Sequence, residues 1–127
     1  MTFAFWCVAL AAFLPLVWIG YAKVGAGEFD NANPRAWRAT LAGKYQRAAA
    51  AEINAYEAFP PFAAAVIIAH VVGVEQSTSD LLAGVFIVAR ILHGILYITD
   101  KDLFRSVIWA AGFFSMVGLF LVAGQVG

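Results

Sequence analysis

Residues 47–72 read RAAAAEINAYEAFPPFAAAVIIAHVV, and the fold follows from this stretch. It is long and apolar enough to cross a hydrocarbon core, which takes about 20 apolar residues. It nevertheless carries Glu52, Asn54 and Glu57. Ionisable groups at bilayer depth are costly, so they face a partner helix or a wet cavity and mark function. On a helix, Arg47, Asn54 and Glu57 stand at i, i+7 and i+10, within about 80° of one another on one stripe. Glu52 points about 140° away from Glu57, so the two carboxylates are not an adjacent acid/base pair. Pro60 and Pro61 follow, able to bend the helix and to free backbone carbonyls for a polar site.

The rest of the chain agrees with a lipid solvent. Of 127 residues, 63% are hydrophobic and 13% charged, with no net formal charge. A soluble domain this short cannot hide so much apolar surface. Four spans are expected, at about 3–21, 47–72, 81–98 and 103–125, which leaves room for a single membrane domain over 1–127 and none for a soluble one. Short connections favour sequential antiparallel packing, so the expected fold is all-α, an up-down bundle of four transmembrane helices. The first span has no basic stretch before its apolar run, and that run outlasts a signal sequence, so it reads as a retained helix with Pro15 as a kink. Cys7, the lone cysteine, lies within it and reads as inert packing. No basic stripe points to nucleic acid.

The loops set an orientation. Lys23, Arg35, Arg38 and Lys44 follow the first span, and Lys101 and Arg105 flank the start of the fourth. The loop at 73–80 has Glu75 and Asp80 but no Lys or Arg. The first and third loops are therefore expected in the cytoplasm and both termini outside. Pro34 suits the start of a short helical turn that rests Trp37 at the interface. Ser79 or Asp80 is the natural N-cap for the third span.

The third span repeats the pattern of the second. Arg90, His93 and Tyr97 recur at i, i+3 and i+7 on one face. Lipid is not what these faces meet. Physics alone leaves two readings level: an Arg90–Glu57 ion pair that fixes packing, with Asn54 and Tyr97 adding hydrogen bonds, or a ligand site. A metal site is not expected, because His70 and His93 lie on different helices and no metal-ligand spacing occurs. His70 reads as interfacial, and Phe113, Phe114 and Phe120 as packing and lipid contact.

The run from Arg47 through Asn54, Glu57 and Pro60 to Phe62 resembles the second-helix signature of the MAPEG superfamily, the membrane-associated proteins in eicosanoid and glutathione metabolism. Arg90, His93 and Tyr97 resemble its third-helix pattern, and Arg105-Ser106 resembles an Arg-Ser pair of the prostaglandin E synthase branch, one residue closer to the tyrosine. The resemblance implies a homotrimer, of bacterial type and so in a bacterial inner membrane, with glutathione held between subunits near the cytoplasmic helix ends. It assigns Asn54 and Glu57 to the polar groups of the peptide, Glu57 to its ammonium, and Arg90 and Tyr97 to a carboxylate. His93 becomes a further contact and Arg105 the stabiliser of the thiolate, while Arg47, outside the family pattern, is a candidate to reach the same ligand. A hydrophobic electrophile arrives from the bilayer lipid.

Two positions depart from that family pattern. Ala50 stands where an arginine is common, and Glu52 where glutamine or histidine is common. Both changes are expected to weaken binding of an anionic peptide. The functional expectation is a glutathione-dependent transferase or peroxidase for hydrophobic electrophiles. The alternative is a non-catalytic protein of the same fold that binds a lipid or other amphiphile between helices, so whether the chain is an enzyme stays open.

Overall fold

A computed structural model describes residues 1–126. They form α1 (Phe3–Ala26), a short α2 (Pro34–Ala39), α3 (Gly43–Val72), α4 (Gln76–Ile98) and α5 (Asp102–Val126). All but α2 are long and apolar enough to cross a membrane. The helix α1 packs on α3 and α4, and α5 packs on the same two, so α3 and α4 form the central pair. The all-helical, four-span architecture is the expected one.

The spans run beyond the expected limits because hydropathy locates only the part of a helix that needs lipid. Polar turns at the ends extend it: Gly43–Gln46 precedes the apolar run of α3, and Gln76–Asp80 is already helical in α4. The N-cap position of α4 is Glu75 rather than Ser79 or Asp80. Asp80 serves another helix. Its Oδ1 accepts from the Ala4 backbone N–H at 2.9 Å and from Gln76 Nε2 at 2.7 Å. A carboxylate thus meets the unsatisfied donors at the N-terminus of α1, beside the cap from Thr2 Oγ1 to the Phe5 N–H.

Both tight connections use left-handed backbone. Gly73 (φ 87°) ends α3, with the Val74 N–H donating to the Ala69 carbonyl at 2.9 Å. Asp100 (φ 62°) takes the same place after α4, and the Lys101 N–H donates to the Leu96 carbonyl at 2.9 Å. These are Schellman closures, and they turn the chain back within a few residues. The helices run unbroken through Pro15, Pro60 and Pro61.

The core is built on small residues, which lets backbones approach where no hydrophobic force acts between helices. Ala4, Cys7 and Ala11 of α1 meet Ala65 and Ala69 of α3 and Ala83 of α4, around the stacked rings of Phe62 and Phe86, whose centroids lie 3.8 Å apart. At the other end, Ile19, Ala22 and Ala48 enclose Trp37 and Leu41. Trp37 is therefore buried within the chain. Its Nε1 donates to the Gly27 carbonyl at 3.0 Å and Phe29 packs edge-on against it, so α2 is tied down over the bundle end. His70 is exposed, its ring beside Phe5.

Gly94 of α4 makes room for the Trp18 ring of α1, which a Cβ there would overlap. Gly94→Ala is expected to lower stability by about 1–3 kcal/mol through overpacking. Gly124→Ala, where the added carbon meets nothing within 4 Å, should be neutral or stabilise by up to about 1 kcal/mol. Thermal unfolding of the two detergent-solubilised variants checks this; equal midpoints would contradict the packing described.

Candidate functional site

Three helices each contribute one stripe to a cleft. In α3 it is Asn54, Glu57, Ala58 and Pro61; in α4 Phe86, Arg90, His93 and Tyr97; in α5 Arg105, Trp109, Phe113 and Met116. Each set keeps the three- and four-residue spacing of a single helix face. The cleft has two chambers of about 230 Å³ each. One holds Asn54, Glu57 and Arg90 against Phe86, Trp109, Phe113 and Met116. The other holds Asn54, His93, Tyr97, Arg105, Ser106 and Trp109. Asn54 and Trp109 line both and so join them. Pro60 and Pro61 lack the N–H groups that would bond the Tyr56 and Glu57 carbonyls, so the backbone beside Glu57 has acceptors to spare.

The charges in this cleft are not paired with each other. Arg90 is 5% exposed, while Glu57 is exposed on its single chain. They line the same chamber without forming an ion pair; among the described residues the one ion pair is Arg38–Glu52. The packing bridge between Glu57 and Arg90 is therefore not made within the chain. Arg105 lies over the Tyr97 ring, 4.3 Å from its centroid, and His93 meets the same ring edge-on at 5.7 Å. His93 is 3% exposed, and its Nδ1 has no hydrogen-bond partner. A buried polar atom left unsatisfied costs about 1–3 kcal/mol and calls for an explanation, such as a group that arrives with a ligand.

Arg47 sits apart from both chambers. Its Nε donates to the Ile98 carbonyl at 3.1 Å, closing the C-terminal end of α4 with a cation. Arg105 shares a chamber with Tyr97 and His93 despite the shortened spacing between Tyr97 and Arg105.

Glu52 lines neither chamber, and its carboxylate is buried. Arg38 of α2 reaches it, with Nη2 at 2.6 Å from Oε1 and 2.9 Å from Oε2. Glu52 therefore brings no free negative charge to the cleft, contrary to the expectation from its position.

Sequence reasoning missed Trp109, Phe113 and Met116. The signal was present, since they continue the stripe of Arg105 at i+4, i+8 and i+11, but aromatic and apolar residues on a span read first as lipid contact. Arg38 was missed as the partner of Glu52 because nothing local links the two positions.

A model of the MAPEG family matches residues 3–125. The chain belongs to that family. Membership makes it an integral membrane protein related to glutathione and eicosanoid metabolism. No curated protein and no solved structure matches significantly.

The Arg38–Glu52 pair gives a direct test. Side-chain exposure is 33% for Arg38 and 7% for Glu52, so Arg38→Leu strands a buried carboxylate and is expected to cost about 1–3 kcal/mol. Arg38→Leu combined with Glu52→Leu should recover most of that loss. Thermal unfolding of both variants decides it, and a double variant no more stable than the single one would contradict the pairing.

Proposed function

We propose that this protein is a glutathione-dependent transferase or peroxidase acting on hydrophobic electrophiles, and that it works as a homotrimer. The observation that carries the reading is Arg90: a guanidinium 5% exposed within a membrane span, without a carboxylate partner among the described residues, in a chamber that also holds Glu57. A buried cation without an anion is expensive, and so is a carboxylate at bilayer depth. A ligand carrying both a carboxylate and an ammonium satisfies the two together. Glutathione has two carboxylates, one ammonium and a thiol, and the cleft offers Arg90, Arg105 and Glu57 with the amide of Asn54. The fit is one of charge.

In this reading Glu57 holds the ammonium, Arg90 grips a carboxylate through its planar fork with Tyr97 alongside, and Asn54 bonds the peptide amides. His93 Nδ1 gains its missing partner from the same molecule. Glutathione supplies the sulfur nucleophile. Arg105, beside Tyr97, favours the thiolate over a thiol whose ordinary pKa is about 8.5. Arg47 steadies the adjoining end of α4. The exposure of Glu57 on one chain supports a second copy covering the cleft, since lipid is a poor neighbour for a carboxylate. The cluster of Lys and Arg in the first and third loops supports a cytoplasmic mouth, and a bacterial inner membrane suits the reading.

Calorimetry of the detergent-purified protein with glutathione should show saturable binding, weakened about tenfold or more by Arg90→Ala and by Glu57→Ala. Arg90→Lys should not restore it, because a lysine cannot grip a carboxylate bidentately. Arg105→Ala should keep saturable binding at a pH below the thiolate midpoint but move that midpoint upward by about one unit or more, the sign expected when a stabilising cation is lost. Absence of binding at millimolar glutathione contradicts the whole reading, and an unmoved pH midpoint contradicts the role of Arg105.

A further inference from the structure

The apolar wall of the cleft is aromatic, and its geometry is specific. Trp109 and Phe113 of α5 stack with centroids 5.1 Å apart and planes 8° from parallel. On the single chain both rings are partly uncovered, Trp109 at 44% and Phe113 at 39% exposure. Ordinary lipid-facing aromatics on this helix, such as Phe114 and Phe104, line neither chamber. Trp109 lines both, so the indole shares one chamber with Arg105 and Tyr97 and the other with Arg90 and Glu57. Phe113 continues the same surface beside Met116, whose polarisable sulfur also favours π-systems. A flat, parallel pair of exposed rings offers a third ring an offset-stacked position, which an aliphatic chain cannot use in the same way.

We propose that Trp109 and Phe113 form a stacking platform that selects planar aromatic electrophiles over linear aliphatic ones. The proposal rests on the glutathione reading and names the class of its second substrate. Arg105 and the indole share a chamber, so a sulfur held by Arg105 and an aromatic carbon lying on Trp109 are adjacent. Trp109 acts by positioning that ring; the charge chemistry stays with the arginines.

The test uses S-benzylglutathione and S-hexylglutathione as probes, bound to the detergent-purified wild type and to Trp109→Leu and Trp109→Phe. Wild type is expected to prefer the benzyl conjugate by roughly 3- to 10-fold, the scale of one stacked aromatic pair. Trp109→Leu should erase that ratio while its unfolding midpoint stays near wild type, and Trp109→Phe should restore most of it. Wild type binding the two conjugates equally overturns the platform. So does a Trp109→Leu variant that weakens both conjugates in step, or one whose cross-linking pattern loses the oligomer, because Trp109 would then be a general wall or a subunit contact. Failure of unmodified glutathione to bind is a different result: it removes the underlying reading, and the platform with it.

Discussion

A guanidinium held inside a membrane bundle without an anion is the constraint on which this structure turns. On insertion scales an arginine at the helix centre costs about 2.5–3.5 kcal/mol, and burial in protein adds desolvation that only an ion or strong acceptors can offset. Arg90 is 5% exposed among α3, α4 and α5 and has no ion-pair partner among the described residues. The rest of the cleft is arranged around that charge. Glu57 and Asn54 face the same chamber, and a second cation, Arg105, stands in the next chamber.

The contrast with Glu52 is instructive. Glu52 lies within two residues of Asn54 and is equally deep by sequence, yet its charge is settled structurally, by Arg38 at 2.6 Å. That pair fastens α2 to α3, and the indole of Trp37 fastens α2 to the end of α1 through the Gly27 carbonyl. One acidic residue of α3 thus holds the fold together, and the other, on a different face, stays available. Helical phase separates the two roles: about 140° on the same helix is enough.

Much of this was legible in the chain. The four spans follow from apolar length, and the stripes on α3 and α4 from three- and four-residue spacing, because both depend on local geometry alone. Arg105 was found from its resemblance to a family pattern. What was not legible depends on contacts between distant segments. Asp80 was read as a cap for its own helix but caps α1, a choice made by the packing of α1 on α4 rather than by spacing. The burial of Trp37 depends on the fold of the first loop over the bundle end, which no local spacing shows. Glu52 was read as a repulsive charge because Arg38, 14 positions earlier, gives no local signal of contact. Trp109 followed the helical spacing faithfully but was hidden by the ordinary role of aromatics in lipid.

The most direct measurement is an experimental structure of the protein in lipid nanodiscs with glutathione present. The account predicts a ligand carboxylate on the Arg90 guanidinium and the ligand ammonium on Glu57, with the sulfur on the side of Arg105. An Arg90 paired instead with an acidic side chain of a neighbouring subunit, and no ligand density between α3, α4 and α5, would contradict it.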